Sequence, residues 1–408
     1  MRNAQKAISY FRPRAIDHRR FFGRVEEVLE ARWFTNGGKM VRELEHEVAR
    51  IHGVRHCVLV CNATIGLQLV LKALDLEGEI ITTPFTFVAT AHAIMWQRLI
   101  PVFCDIDPDR LTISPAHIEE LVTPHTSAIL GVHVFGQFCD VEAIGRIARK
   151  HRLKVIYDAA HSFMTSYKGT PVGHFGDAEV LSFHGTKLFH TFEGGAVLTD
   201  NAELAARLRL LKNFGFNGLD NVQYIGTNAK MNEVSAAYGL SLLPAMPRTI
   251  ARLRRIHELY RAGLGAVAGI RLFELSREVR GNGQYLPVFV QRDFGISRDQ
   301  LWARLWSRGV QTRRYFYPGA HLCEPYRSDM PWFKDLLPVA RQVTETILCL
   351  PCYYDLSDQE VARVCQAVAE AGQDGARIKK WYKSLLRSSF GAPGMAPLVQ
   401  ALRRGPDS

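Results

Sequence analysis

The chain has 408 residues, more than the roughly 250–300 at which a single hydrophobic core stops growing, so its length predicts one large domain with a smaller companion. With 47% hydrophobic and 22% charged residues it has an ordinary globular composition, which excludes a fibrous or wholly disordered chain. The formal charge is +11, yet seven cations between Arg377 and Ser408 face Asp407 alone, so the basic excess is concentrated at the C-terminal end. No zinc-finger spacing or aromatic-interleaved basic repeat accompanies it, and nucleic acid is not an expected partner. The opening "MRNAQKAISYFRPRAIDHRR" has no apolar signal core, and no run reaches the ~20 apolar residues of a membrane span, which predicts a cytoplasmic protein. Eight cysteines sit mostly inside apolar runs and read as reduced core thiols. Cys349-x-x-Cys352 has no second pair to complete a zinc site, so no metal is expected.

From Val54 onward, short apolar runs alternate with longer amphipathic ones. "HCVLVCN" precedes "ATIGLQLVLKAL", "GEIITTP" precedes "TFVATAHAIMWQ", "IPVFCDI" precedes "SPAHIEELV", "SAILGVHVFG" precedes "DVEAIGRIARKH", and "KVIYDAA" leads to "AEVLSF" and "GGAVLT". Strands separated by helices predict βαβ units, an α/β fold and a mainly parallel sheet. A Gly- and Asn-rich loop then leads to the long amphipathic helix "MPRTIARLRRIHELYRAGLGAV". Beyond it, strands at "IRLFEL", "QYLPVFVQ", "VQTRRYFYP" and "ETILCLPCYY" with helices at "SRDQLWARLWSRG" and "SDQEVARVCQAVAEAG" predict a small α+β domain. The expected division is a large domain with an N-terminal arm over 1–249, a small domain over 250–372, and a basic, flexible tail over 373–408.

Ligands of parallel sheets bind beyond the C-terminal strand ends, so the residues that follow each apolar run deserve scrutiny. "LVCNAT" places Asn62, Ala63 and Thr64 at a helix start, either an anion site or a plain N-cap. "VIYDAAHS" ends a buried strand with Asp158, whose carboxylate needs a partner such as a protonated heterocyclic nitrogen, unless it only caps a turn. "LSFHGTKLFHTFEGGAVLTD" delivers Lys187 among Ser182, His184 and Thr186 before Gly194-Gly195. Such a lysine is either a solvated edge residue or, in dry surroundings, an amine of lowered pKa able to form a Schiff base. An anion site, a buried acid and a lysine at successive strand ends together match what pyridoxal phosphate requires. Neither GxGxxG, GxxxxGK[ST] nor HExxH occurs after the strands, which argues against a dinucleotide, P-loop or zinc-protease site.

The pieces "CNATIGLQL", "TTPFTFVATAHAI", "GVHVFGQFCDVEAI", "YDAAHSFMTSYKG", "SFHGTKLFHTFEGGAV", "GTNAKMNEVSAAYGL" and "RRYFYPGAHLCEPYR" resemble the DegT/DnrJ/EryC1/StrS family of sugar-nucleotide aminotransferases. The resemblance runs through most of the chain and implies the aspartate-aminotransferase fold (fold type I), pyridoxal phosphate as cofactor with its pyridoxamine form, and a homodimer with shared active sites. By this resemblance Lys187 is the lysine that holds the cofactor, Asp158 the partner of its ring nitrogen, His161 the residue near its phenolic oxygen, and Phe87 the ring stacked on it. Ala63, Thr64 and Ser182 fall on the phosphate site, and Asn228 on an asparagine that reaches the phosphate from the neighbouring subunit. Thr35, Asn36, Gly37, Arg313, Arg314, Tyr315 and Phe316 are candidates for lining the sugar-nucleotide site.

Within the family, "SFHGTKLFHTFEGG" and "YFYPGAHLCEPYR" are most similar to the branch that aminates C4 of a dTDP-4-keto-6-deoxyhexose. The resemblance therefore implies ping-pong transfer from L-glutamate to dTDP-4-keto-6-deoxyglucose. Amination at C3, action on a GDP- or UDP-sugar, and a non-catalytic regulatory relative are the alternatives. The last would be marked by loss of the lysine or the aspartate, and both are present.

Overall fold

Helix and strand alternate through the first part of the chain. After α1 (His18–Ala31) and α2 (Lys39–His52), β1 (His56–Val60) leads through α3 (Ala63–Ala73) to β2 (Glu79–Thr82), α4 (Ala89–Trp96) and β3 (Ile100–Phe103). Then come α5 (Pro115–Ile118), β4 (Thr126–Val132), α6 (Val141–His151), β5 (Lys154–Asp158), a small hairpin of β6 (Ser166–Tyr167) and β7 (Thr170–Pro171), β8 (Ala178–Ser182) and β9 (Gly195–Thr199). Helices α7 (Ala202–Leu211) and α8 (Glu233–Leu242) follow. The structure is a computed structural model that describes residues 7–387.

Seven strands form one sheet in the order β1-β9-β8-β5-β4-β2-β3. Only β9 runs antiparallel to its neighbours; the remaining pairs are parallel, as the βαβ pattern predicts. Alternation along each strand sorts the side chains into two buried layers. Val58, Val60, Ile80, Leu130, Ile156, Val180 and Val197 share a core with α3, α4 and α7. Their strand neighbours Leu59, Ile81, Ile129, Val155, Leu181 and Leu198 share the other core with α2, α6 and α8. Each such aliphatic side chain taken from water contributes about 1.5–3 kcal/mol, and the two layers hold the strands in register. That register sets Asp158 beside Val132 of β4 and Val180 of β8, at one common edge of the sheet. Tyr157, the residue before Asp158, points to the opposite face of the sheet and stacks on His133 at 4.6 Å.

The later part begins with α9 (Met246–Leu264), then β10 (Ile270–Leu272), β11 (Val279–Arg280), β12 (Leu286–Val290), α10 (Arg298–Ser307), α11 (Tyr326–Asp329), α12 (Pro338–Thr346), β13 (Ile347–Leu350), α13 (Asp358–Gln373) and α14 (Gly375–Arg387). Strands β10-β12-β13 make a second, antiparallel sheet, and β11 joins β6 and β7 in a third. Reciprocal capping boxes, Ser297 with Gln300 and Ser357 with Glu360, fix the starts of α10 and α13. The N-terminal arm is anchored by fully buried Ile8, which bridges to Val310.

Two sequence expectations change. "VQTRRYFYP" is not a strand: Val310 and Arg313 form only isolated bridges, to Ile8 and Cys349, and the segment then runs into Pro318, which has no N–H for a ladder. The tail is helical over α14, with Ile378 and Leu385 buried; the rest of it, 388–408, lies outside the described residues. All eight cysteines are unpaired. Among the described residues no helix is long and apolar enough to cross a membrane, and no group of three or more His, Cys, Asp or Glu is arranged to hold a metal ion.

Candidate active site

A pocket of about 580 Å³ opens at the C-terminal ends of the parallel strands. Its floor begins where β1 turns into α3. Asn62 caps the helix, its side-chain oxygen accepting from the Ile65 N–H at 2.9 Å, which leaves the first-turn amides of Ala63 and Thr64 at the pocket edge. Gly195 lies across from them in β9, and a Cβ there would sit 2.7 Å from the Ala63 nitrogen. The backbone approach between strand and helix start therefore requires glycine. Ser182, paired with Gly195 in the sheet, adds a hydroxyl to the same end.

Asp158 ends β5 and is almost fully buried. One carboxylate oxygen accepts from the Thr90 hydroxyl at 2.7 Å and the other from the Ala160 N–H at 3.0 Å. Thr90 is itself hydrogen-bonded to Thr86 at 2.8 Å, so a chain of hydroxyls from the β2–α4 connection orients the acid. His161 is buried beside it and accepts from the Phe135 N–H through Nδ1 at 3.0 Å. Burial and the nearby charge of Lys187 push its pKa well below the usual histidine value. The ring is therefore neutral, with its proton on Nε2.

Lys187 follows β8 through a turn closed by its own N–H donating to the His184 carbonyl at 2.8 Å. Its ammonium donates to the Tyr285 hydroxyl at 3.3 Å. Burial of that ammonium lowers its pKa to about 8, against the opposing pull of the Asp158 charge. Phe87 covers the mouth with a ring that is 57% exposed. Tyr10 of the N-terminal arm and Arg313, Tyr315 and Phe316 of the later part close the far wall. The Arg313 guanidinium lies 5.8 Å from the Tyr10 ring and 5.6 Å from the Tyr315 ring.

The pocket thus unites Ala63, Thr64, Phe87, Asp158, His161, Ser182, Lys187, Arg313, Tyr315 and Phe316. Other residues anticipated at the site lie elsewhere. Arg314 turns away to pair with Asp299 at 2.9 Å and to cover Trp302, which removes it from the pocket wall. Thr35, Asn36 and Gly37 lie in the loop before α2, outside the lining of this pocket, and Asn228 is exposed on its own protomer. Sequence reasoning missed Thr86, Thr90, Tyr10 and Tyr285. The hydroxyl-rich "TTPFTFVAT" was the one available signal for the first two.

A residue profile described as the DegT/DnrJ/EryC1/StrS aminotransferase family matches residues 16–369. The chain is 39% identical over 374 residues to a dTDP-4-amino-4,6-dideoxy-D-glucose transaminase of Shigella dysenteriae, covering 90% of this chain and 99% of that protein. It is 38% identical over 362 residues to the Escherichia coli protein of the same name, covering 88% and 97%. Among solved structures it is similar to DesI, determined in the presence of its TDP-sugar product, with a TM-score of 0.89, 41% identity and coverage of 93% and 96%.

Proposed function

The chain belongs to the DegT/DnrJ/EryC1/StrS aminotransferase family, and we propose that it moves an amino group from L-glutamate to C4 of dTDP-4-keto-6-deoxyglucose. The product is the 4-amino-4,6-dideoxy sugar. The observation that carries this reading is the meeting, in one pocket, of a lysine with a lowered pKa, an oriented buried carboxylate and a free helix N-terminus.

The enzyme is a pyridoxal-phosphate-dependent transaminase, and the residues present fit that cofactor. The tight approach of Gly195 to Ala63 leaves a cradle with room for backbone amides and no side chain, which suits a phosphate at the N-terminus of α3. In this proposal the Ala63 and Thr64 amides and the Ser182 hydroxyl hold the phosphate. Asp158, fixed by Thr90 and Ala160, keeps a proton on the ring nitrogen. His161 donates from Nε2 toward the phenolic oxygen, and Phe87 covers the ring. Bound pyridoxal phosphate supplies an electrophilic carbon and an electron-withdrawing protonated ring. Lys187 would hold the cofactor between turnovers and, as a neutral amine, would serve as the base that accepts the α-proton of the amino donor and as the acid that gives it back. Arg313, Tyr315 and Phe316 face the remaining space, where the nucleotide sugar is placed.

The proposal includes a homodimer in which Asn228 of one protomer completes the phosphate site of the other. Its exposure supports this, as do the exposed rings of Phe22 (63%) and Phe192 (51%), which pack through half-buried Phe21 onto buried Tyr238. The division at 249 and 372 is kept: the seven-stranded sheet falls within the first part and the β10-β12-β13 sheet within the second. A cytoplasmic setting is also part of the reading, and eight unpaired thiols fit a reducing compartment.

An absorbance titration tests the transamination. L-Glutamate should convert the bound cofactor to its pyridoxamine form, and dTDP-4-keto-6-deoxyglucose should restore the original band. Discharge by glutamate without restoration by the sugar would remove the proposed acceptor and keep the transaminase.

A further inference from the structure

A second concavity, of about 940 Å³, lies away from the Lys187 pocket, between the start of α10, α12 and α14. Six cations line it: Arg292, Arg298, Arg327, Lys334, Arg341 and Lys379, against the carboxylates of Asp299 and Glu345. Glu345 is largely exposed and stands 3.4 Å from Arg341. Asp299 is shared between two guanidiniums, Arg298 at 2.7 Å and Arg314 at 2.9 Å. Their side chains are only 1% and 14% exposed. One carboxylate therefore faces two enclosed positive charges, and the wall of the groove keeps a net positive charge in low-dielectric surroundings, where its field is poorly screened. Two carbonyls, of Thr344 and Ile347, and the Tyr317 ring offset this only in part.

Further charge comes from residues with no ion pair among the described residues: Arg292, Lys334 and Lys379. Lys379 belongs to α14, beyond the residues 16–369 that match the family, so this side of the groove is built by an extension the family pattern does not include. Arg327 pairs with Glu324 at 2.8 Å and Arg341 with Glu345 and Asp335, so the uncompensated charge rests on Arg292, Lys334, Lys379 and the enclosed Arg298-Arg314 pair, and an anion in the groove would neutralise it. The volume suits a small metabolite, at the upper end of the ~300–1,000 Å³ typical of ligand pockets.

We propose that this groove is a second anion site, for a phosphorylated small molecule, separate from the pocket that holds Lys187. Lys379 of α14 closes it on one side, Arg292 and Lys334 supply exposed contacts, and the Arg298-Asp299-Arg314 cluster supplies the enclosed charge. Arg314 lies between Arg313 and Tyr315, so the groove and the active pocket share one backbone segment.

Calorimetric titration of pyrophosphate into the cofactor-loaded enzyme, at ionic strength held constant with KCl, tests this. One saturable site per chain is expected in the wild type. Affinity should fall at least tenfold in an Arg292→Ala/Lys334→Ala/Lys379→Ala variant, which changes exposed side chains only and keeps wild-type turnover without added pyrophosphate. Lys379→Arg should retain the site and Lys379→Glu should lose it. With dTDP as the probe, two sites per chain falling to one in the triple variant would identify a nucleotide as an acceptable ligand; one in both would restrict the groove to simple phosphates. Absence of saturable pyrophosphate binding, or equal affinity in the triple variant, would overturn the proposal.

Discussion

The Thr90 hydroxyl donates to the Asp158 carboxylate at 2.7 Å, joining the start of α4 to the end of β5 behind the pocket wall. Asp158 can take two orientations about its last torsion, and this bond with that from Ala160 selects one. Thr90→Val keeps the shape and removes the donor. A hydrogen bond to a charged group is worth about 1.5–3 kcal/mol, so kcat should fall roughly 10–100-fold. Thr90→Ser should recover most of it. Steady-state rates of the three proteins decide the matter, and a Thr90→Val enzyme at full rate would show that Asp158 needs no such support.

Lys187 gives a prediction in pH. Its amine must be neutral to capture pyridoxal phosphate, and its pKa is about 8 where an ordinary lysine has 10.5. Below pH 8 the neutral fraction falls tenfold per unit; above it the fraction saturates. The rate of cofactor capture by the apoenzyme should therefore rise with pH and level off near 8. The Asp158 charge holds the ammonium on, so Asp158→Asn should move the inflection to lower pH. A profile that keeps climbing toward pH 10 would mean that the amine is solvated. Lys187→Ala should capture no cofactor covalently and show no turnover.

Which of these features the sequence disclosed follows from distance along the chain. Strand alternation and the residue just after each strand are local signals, and they led to Asp158 and Lys187 and to the helix start at Ala63. Thr90 lies 68 positions from Asp158 and Tyr285 98 from Lys187, and no periodicity links residues so far apart. The segment from Val310 reads as a strand by composition, yet its partners are an N-terminal arm and one residue of β13, contacts that only the folded chain supplies. Arg313 and Arg314 go in opposite directions, one to the pocket wall and the other to Asp299, a division that no periodicity in this irregular segment foretells. The helix in the tail was hidden because its charges suggested solvation, while Ile378 and Leu385, seven apart, mark its buried stripe.

Gly195 should tolerate no side chain. A methyl group there would meet backbone atoms, the Ala63 nitrogen at 2.7 Å and the Asn62 carbonyl carbon at 2.9 Å, and backbone gives way less readily than a flexible side chain. Overpacking of this kind costs about 1–3 kcal/mol. Because the strain falls on the start of α3, Gly195→Ala should weaken pyridoxal phosphate at least tenfold, measured as loss of bound cofactor on dilution. Rates at saturating cofactor should suffer less. Unchanged cofactor retention would remove the Ala63 and Thr64 amides from the phosphate site.

Glu233 offers a test of how the start of α2 is held. Its buried carboxylate accepts from the amides of Gly38 at 2.8 Å, Met40 at 2.8 Å and Val41 at 3.4 Å, and so satisfies the first turn of α2 from the start of α8. Glu233→Ala leaves those donors buried and unmet, a loss on the order of 3 kcal/mol that a lower urea midpoint should register. The same carboxylate explains why residue 38 is glycine, since a Cβ there would lie 2.6 Å from the Glu233 carboxyl carbon. Gly38→Ala should therefore destabilise the wild type but cost much less once Glu233 is alanine. A double-mutant cycle measures that difference directly. Additive effects would mean that the glycine is required by something other than the carboxylate, whereas a strong coupling would tie the two helices to a single buried charge.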